Sequence, residues 1–513
     1  MAETKREVER KFEFTSVKAG RRGVPDLTGT AGIAAVLDRG TVDLDAVYYD
    51  TPDQRLAADG LTLRRRTGGE DAGWHLKLPV SPGVRDEVRA GLADGVPRAL
   101  TALLRSRVRD AELVPQMRLL SSRKVLHLLD GGGALLAELS TDAVRAEGHD
   151  TTATWTEVEV ELADDVDPAL LDAVEKRFRK AGLAVSAAPS KLARALAETG
   201  SAPAPRPGAA PADDTAGAHV LAYLRAQRDA LVAQDPAVRR ALPDSVHQMR
   251  VATRRLRSAL RTYRRVLDRE RTDPLGQELR WLAGELGVDR DQEVLLERLR
   301  TRLGELPQTL VLGPVRARLR IWNTSRSSGS RRRALATLDG KRYLALLDAL
   351  DALLQDPPLL PAAAKPAPRV LPKAVLADYE RLSGRIGTAL ALTPGEDRDL
   401  ALHDARKAAK RARYAAEALV PALGGPAKRL AKAMKSVQSL LGDHQDSVVA
   451  REALRALAVQ ANGAGESSFT WGLLYGREEA LAERRERELP GVWDEASDPD
   501  LRSPLGGEGG AGR

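Results

Sequence analysis

The chain has 513 residues and no cysteine. That absence excludes disulfides, thiolate nucleophiles, iron–sulfur clusters and Cys-ligated zinc. Aromatic residues make up only 4%, too few for base stacking to be the main binding device. No apolar run approaches the roughly 18 residues of a membrane span. The opening MAETKREVERK has no apolar signal-peptide core. A cytoplasmic location and no membrane partner are therefore expected. There is no P-loop and no credible Ser/His/Asp order for a hydrolytic triad. The seven histidines show no metal-ligand spacing.

What is present is charge, unevenly placed. Lys and Arg number 80 against 72 Asp and Glu, a net +8. Residues 1–198 hold 29 basic and 32 acidic side chains, and the remainder holds 51 and 40. The two parts are expected to do different things. At about 150 residues per domain the length predicts two to four domains. A linker is read at 199–217, its Pro/Ala/Gly-rich stretch being Gly200–Gly217, and a second break at Gln355–Pro372. The Gly-rich end, 491–513, is expected to be disordered.

Residues 1–198 alternate with period two. Glu7-Val-Glu-Arg-Lys11, Leu61-Thr-Leu-Arg-Arg-Arg66, Trp74-His-Leu-Lys-Leu78 and Trp155-Thr-Glu-Val-Glu-Val-Glu-Leu162 predict strands. Lys124 to Leu139, turning at Asp130-Gly-Gly-Gly, predicts a hairpin. Helices are expected near Thr30–Leu37, Arg98–Leu104 and Pro168–Ala181. This is an α+β domain dominated by antiparallel strands. Residues 218–490 are helical throughout, and they repeat. His247, Arg250, Arg254, Arg255 and Arg257 recur 156 positions on as His403, Arg406, Lys410, Arg411 and Arg413. Arg280, Gly287 and Asp291 recur 155 positions on as Lys435, Gly442 and Asp446. The expectation is a helical bundle of two tandem repeats, about 218–354 and 373–490.

Residues two apart on a strand share a face. Glu7, Glu9 and Lys11 share one, Arg64 and Arg66 another, and Glu157, Glu159 and Glu161 a third. Water on a half-exposed sheet explains any one of them. Together with Lys77, Arg123 and Lys191, converging in a closed barrel, they would set carboxylates for hard divalent metals beside cations for phosphate. Metal plus cations around a phosphate chain equips a site for phosphoryl chemistry.

The ExExK run Glu7-Val-Glu9-Arg-Lys11, with Tyr49-Asp-Thr-Pro-Asp53, Leu63-Arg-Arg-Arg66, Leu76-Lys77, Ser122-Arg123-Lys124, Glu157-Val-Glu159-Val-Glu161 and Pro189-Ser-Lys191, resembles the CYTH domain of the triphosphate tunnel metalloenzymes. The resemblance implies a closed, eight-stranded antiparallel β tunnel that binds triphosphates and often hydrolyses them with Mg²⁺ or Mn²⁺. It implies metal at Glu7, Glu9, Glu159 and Glu161, and phosphate at Lys11, Arg64, Arg66, Lys77, Arg123 and Lys191. One position departs. The family often carries an acidic pair two apart after the Lys77 strand, and here Glu87 is followed by Arg89.

In the second part, His247, Arg250, Arg254, Arg257 and Arg261 fall within a sector of roughly 80° at 100° per residue. His403, Arg406, Lys410 and Arg413 do the same in the second copy. Lys428, Lys432 and Lys435 form a stripe on a following helix. Solvated faces normally mix signs through i,i+4 pairs, so single-sign stripes point to a polyanion or to acids elsewhere in the fold. The HxxR…[KR][KR]xR and LGxxxD elements in both copies resemble the CHAD domain. Members are helical bundles that bind inorganic polyphosphate, which implies binding by His247, Arg250, Arg254, Arg257, Arg280, His403, Arg406, Lys410, Arg413 and Lys435. It also implies capping or cation pairing by Asp291 and Asp446, and association with polyphosphate granules. The expected function is metal-dependent hydrolysis of inorganic triphosphate or a related triphosphate, with polyphosphate bound by the helical domain. The alternative is a non-enzymatic polyphosphate-binding protein. Nucleic-acid binding and adenylate cyclisation rank lower, because neither a groove-reading motif nor an adenine pocket is visible.

Overall fold

The computed structural model describes residues 3–148, 151–203, 211–327 and 329–506, with the side chains of 288–291, 325–327 and 330 outside that description. Two compact units are present, Met1–Arg206 and Pro207–Arg513. The first has strands β1 (Glu3–Phe14), β2 (Ala35–Asp50), β3 (Thr62–Thr67), β4 (Gly73–Ser81), β5 (Val84–Ala90), β6 (Val114–Leu129), β7 (Leu135–Glu147), β8 (Thr152–Leu162) and β9 (Leu183–Val185). Its longer helices are α1 (Arg98–Val108), α2 (Ala169–Ala181) and α3 (Lys191–Glu198). The sheet order is β5-β4-β3-β2-β6-β7-β8-β1, and antiparallel pairing of β1 with β5 closes it. Eight strands thus form a barrel, and β9 extends β1 at its end.

The barrel is polar inside and apolar outside, because the period-two pattern is laid down that way. Phe12, Leu139, Val158 and Val160 point outward and are covered by Leu170, Leu171, Val174 and Phe178 of α2. Leu61, Leu63, Trp74, Leu76 and Val88 are covered by Leu100, Leu103 and Leu104 of α1. One end of the lumen is filled instead. There α3 sets Leu192, Ala195 and Leu196 against Tyr48, Met117, Leu119, Val144 and Trp155. Ser190 caps this helix, its hydroxyl accepting from the Ala193 N–H at 3.0 Å.

The helix expected at Thr30–Leu37 does not form. Gly29 and Gly32 adopt φ of +81° and +88°, which a right-handed helix cannot take, and Ala35–Leu37 already pairs with β6. The helices expected near Arg98 and Pro168 and the hairpin over Asp130–Gly133 are present.

The second unit is all-helical: α4 (Ala216–Arg239), α5 (Ser245–Thr262), α6 (Arg269–Glu285), α7 (Gly287–Gly304), α8 (Val315–Ser327), α9 (Ser330–Asp339), α10 (Lys341–Gln355), α11 (Ala367–Ala391), α12 (Glu396–Leu423), α13 (Gly425–Gly463) and α14 (Phe469–Ala496). The apolar faces of α5 and α12 are buried as the stripe pattern requires, through Met249, Leu256 and Leu260 and through Ala405, Ala412 and Leu419. Two expectations need correction. The stretch Gln355–Pro372 is a break only to Pro366. At Ala367 α11 begins, and Pro368 sits in its first turn, where no backbone donor is missed. The end is ordered well past Gly491: Trp493 stacks on Tyr379 at 5.7 Å and Leu505 is buried in the helical core, so apolar contacts override the glycine signal. Residues 507–513 lie outside the described residues. The Leu441-Gly442…Asp446 element lies in the middle of α13.

Phe178 meets Phe12 edge-on at 4.7 Å and is fully buried. Phe178→Ala is expected to cost about 3–5 kcal/mol, lowering the unfolding midpoint of the first unit by roughly 10 °C. Val17→Ala, at a 77% exposed position, should leave the midpoint unchanged. Thermal unfolding of both variants checks this.

Candidate functional site

The lumen of the barrel is a cavity of about 500 Å³. Every expected lumen residue lines it: Glu7, Glu9, Lys11, Arg64, Arg66, Lys77, Arg123, Glu159, Glu161 and Lys191. Strand register explains their grouping. Lys11 lies opposite Glu159 across β1–β8, Arg123 opposite Asp142 across β6–β7, and Lys77 opposite Glu87 across β4–β5. Unlike charges face one another at these positions, which favours the pairing. Asp142 and Glu157 are a like-charged pair across β7–β8. Lys191 resolves it, its Nζ 3.0 Å from Asp142, 2.7 Å from Glu157 and 2.6 Å from Glu159. A lysine at the start of a helix opposes the helix dipole, and these carboxylates supply the compensation.

The remaining contacts form a continuous network. Arg123 donates from Nε and Nη2 to the two oxygens of Asp142 at 2.8 and 2.9 Å, and from Nη2 to Glu159 at 3.0 Å. Lys11 donates to Glu159 and lies 3.2 Å from Glu9. Lys77 is 2.6 Å from Glu7 and 3.9 Å from Glu87. Arg64 donates to the Tyr48 hydroxyl at 3.3 Å and lies 3.7 Å from Glu87. Lys5 donates to Glu161 at 2.5 Å. Arg89, at the departing position, donates to Glu87 and lies 3.9 Å from Glu7. Glu87 is also 3.0 Å from His75 Nδ1.

Burial pushes the Glu7 carboxyl up to about 7, against the pull of Lys77 and with the help of Glu87 and Glu161. At Glu9 burial acts the same way, but Lys11 and Lys77 outweigh it and hold the group below its ordinary value. Glu159 is likewise desolvated, yet Lys11, Lys191 and Arg123 hold it well below. Two carboxylates on one strand face thus differ in protonation because their cations differ.

Oxygen donors for a divalent metal are present. Carboxylate oxygens of Asp142, Glu157 and Glu159 lie within 4.8 Å of one another, all buried. Glu7 Oε2 and Glu157 Oε1 are buried against the ammonium groups of Lys77 and Lys191, at 2.6 and 2.7 Å. An all-oxygen set suits Mg²⁺ or Mn²⁺. Sequence reasoning did not select Asp142, and it placed the late acidic pair at Glu159 and Glu161. In the structure Glu157 joins Glu159 while Glu161 sits with Lys5. The signal for Asp142 was available: Glu138, Ser140 and Asp142 alternate with Ala137, Leu139 and Thr141.

In the second unit the two stripes hold different residues in different states. Arg250 donates to the Gly287 carbonyl at 3.2 Å. Arg406 is 3.7 Å from Asp446 and lies against Gly442, where a Cβ would stand 3.5 Å from its Nε. Lys410 is pushed down to about 7 by burial and by the neighbouring Arg406, Arg254 and Arg250. His403 Nδ1 lies 2.5 Å from Gln445 Oε1, and burial with Lys407 holds the imidazole below its ordinary value, so it adds no charge near neutrality. Arg413 turns away, donating to Glu417 at 2.7 Å and Gln438 at 3.2 Å. Arg257 and Arg280 line a separate cavity of about 1020 Å³ with Arg261, Arg264, Arg381 and Arg411. His247 is half-buried on α5, and Lys435 is exposed on α13 beside Lys428 and Lys432. His444 is buried, with Nε2 3.3 Å from Asp399 and 3.2 Å from Glu486. The side chain of Asp291 lies outside the described residues.

A closed antiparallel tunnel with a charged lumen, joined to an all-helical unit with a cationic interior, defines a two-domain protein. The CYTH domain model matches residues 5–196 and the CHAD domain model residues 222–455. The chain belongs to the CYTH–CHAD proteins. Two Mycobacterium tuberculosis proteins, from strains CDC 1551 and H37Rv and both described as uncharacterized, are 40% identical over 506 residues, 94% of each chain. Among solved structures, PptA from Streptomyces chartreusis is 24% identical over 55% of this chain and 99% of that one, TM-score 0.46. The CHAD domain of the plant Ricinus communis is 26% identical over 57% and 93%, TM-score 0.45. A putative adenylyl cyclase from Hippeastrum, described as having a dominant triphosphatase activity, is 18% identical over 38% and 96%, TM-score 0.24. No helix among the described residues is long and apolar enough to cross a membrane.

The Glu7 carboxyl should titrate near pH 7, and Lys77→Met should move it further up by removing the nearest opposing charge. Carboxyl ¹³C shifts of side-chain-labelled protein report both. Titration near 4.5, the ordinary value, in either form would contradict the burial argument.

Proposed function

We propose that the chain hydrolyses inorganic triphosphate or a related triphosphate in the tunnel, with a divalent metal, and binds inorganic polyphosphate through the helical domain. The observation that carries the first part is the lumen itself. Ten cationic and eight carboxylate side chains line it among the described residues, so most of its positive charge is already compensated. A highly charged triphosphate entering such a lumen needs further positive charge, and carboxylates facing the same space are the means of holding it as metal. Glu7, Glu9, Asp142, Glu157 and Glu159 are the donors that would hold Mg²⁺ or Mn²⁺. The metal would polarise a phosphoryl oxygen and lower the pKa of a bound water. Lys11, Arg64, Arg66, Lys77, Arg123 and Lys191 would turn from their carboxylates to phosphate oxygens, fix the chain, and offset charge as it develops on the leaving group.

A second reading has a specific observation behind it. Arg89 stands where the family often has an acid, and it donates to Glu87. A tunnel short of one carboxylate could grip triphosphate without turning it over. Phosphate release from inorganic triphosphate by the full chain, with Mg²⁺ or Mn²⁺, separates the two. The hydrolytic reading expects metal-dependent release that falls at least about 100-fold in Glu7→Ala/Glu9→Ala. Binding of triphosphate without release would leave the gripping reading, and Arg89→Glu is then the first reversion to test.

For the helical domain, the support is Lys410 near neutrality among like charges and the arginines around the second cavity. Bringing so many cations together costs repulsion that a polyanion relieves. Charge reversal at Arg254, Arg257 and Lys410 should weaken binding of long-chain polyphosphate at least tenfold and flatten its dependence on salt, as expected when fewer counterions are released. Equal affinity of the triple variant, or RNA competing as well as polyphosphate, would count against it.

A further inference from the structure

Arg66, unlike Arg64 and Arg123, has no strand carboxylate of its own. It is 5% exposed and its Nε makes no hydrogen bond. Arg64 leans on Glu87 and Arg123 on Asp142 and Glu159. Arg66 pairs instead with Asp71, on the loop between β3 and β4. Desolvation by burial, with Arg64 and Arg123 close by, pushes the Arg66 guanidinium down to about 9, so an anion here gains more than at a solvated arginine. Asp71 itself is about a third exposed and, with Glu70, lines the cavity.

The loop is built to present that side chain. At its start Gly68 has φ +81°, and a Cβ there would stand 2.2 Å from the Asp43 carbonyl oxygen. At its end a Cβ on Gly73 would stand 2.5 Å from the Ala90 carbonyl oxygen. Both ends are thus pressed against neighbouring strands. Between them His75 Nε2 donates to the Asp71 carbonyl at 2.9 Å, while its other nitrogen faces Glu87. The Asp71 backbone is tied to His75, while its carboxylate meets Arg66.

We propose that Asp71 is a built-in stand-in for a phosphate group, occupying Arg66 in the empty tunnel and yielding it to the ligand, so that it determines which anions the tunnel accepts. This rests on the reading of the tunnel as a triphosphate site. Carboxylate and phosphate use the same guanidinium donors, and two anions on one buried arginine repel. A ligand must therefore bring enough charge, held by enough other cations, to displace Asp71. A triphosphate spanning several cations can do so, and orthophosphate cannot. The bland alternative is that Asp71 merely braces its loop. The two differ in sign: losing a brace leaves binding equal or weaker, whereas losing a competitor makes it tighter.

The test is calorimetric titration of the full chain with inorganic triphosphate and with orthophosphate, with and without Mg²⁺, at a temperature where turnover is slow. Asp71→Asn should tighten triphosphate binding about two- to fivefold, the range expected for removing one partly exposed charge contact. It should also make orthophosphate binding measurable. Asp71→Ser should do the same, which covers a folding defect peculiar to one variant. In an Arg66→Gln background the gain should vanish. Equal or weaker binding in both Asp71 variants overturns the inference while leaving the tunnel reading intact. Absence of any wild-type triphosphate binding that Arg64→Ala/Lys77→Ala removes overturns both.

Discussion

The barrel depends on compensation of charge inside it. Taking a carboxylate or ammonium out of water costs several kcal/mol per ion even after relaxation, and this lumen holds many of both. It stands because Glu7, Glu9, Glu87, Asp142, Glu157, Glu159 and Glu161 each have a cation within 4 Å. Glu159 is the extreme case, met by Lys11, Arg123 and Lys191. Those three come from β1, β6 and the start of α3, so three distant segments meet on one side chain. Strand register, closure of β1 on β5, and the seating of α3 are coupled through it. The apolar cover outside the barrel supplies the burial, and the ionic network inside fixes which strand faces which.

The helical unit follows a different rule on its two sides. Arg298 and Arg302 are held by the buried Glu478, and Arg298 also by Asp443. Arg255 and Arg413 share Glu417 and flank the ring of Tyr414. These arginines hold helices together. Around Arg257 and Lys410 the neighbours are mostly cations instead. Burial first, and the like charges of Arg406, Arg254 and Arg250 after it, push Lys410 down to about 7.

Much of this was legible in the sequence. Period-two alternation gave the strands, and the faces it defined did converge, because a closed barrel brings every inward face to one axis. The stripes on α5 and α12 were readable for the same reason: a charged sector opposite Met249, Leu256 and Leu260 has one way to pack. What was missed came partly from contacts distant in the chain and partly from local features that the periodicity overrode. Alternation puts Asp142 on the same face as Glu138, but the cations it meets show only once β6 and α3 are placed around it. Arg413 continues its stripe by angle, but Glu417 one turn on captures it. The helix expected at Thr30–Leu37 fails on two glycines, and the end is ordered by Trp493 and Leu505, whose partners on α11 and elsewhere in the core no local window contains.

The apolar seal that α3 makes at one end of the barrel has a consequence for traffic. A passage open at both ends lets a linear polymer slide through, shedding units while still held. With one end stoppered by Leu192 and Leu196 against Met117 and Leu119, anything linear goes in end first and must back out the way it came. For a linear polyphosphate bound as proposed above, one closed end would let only the tip of the chain reach the innermost charges.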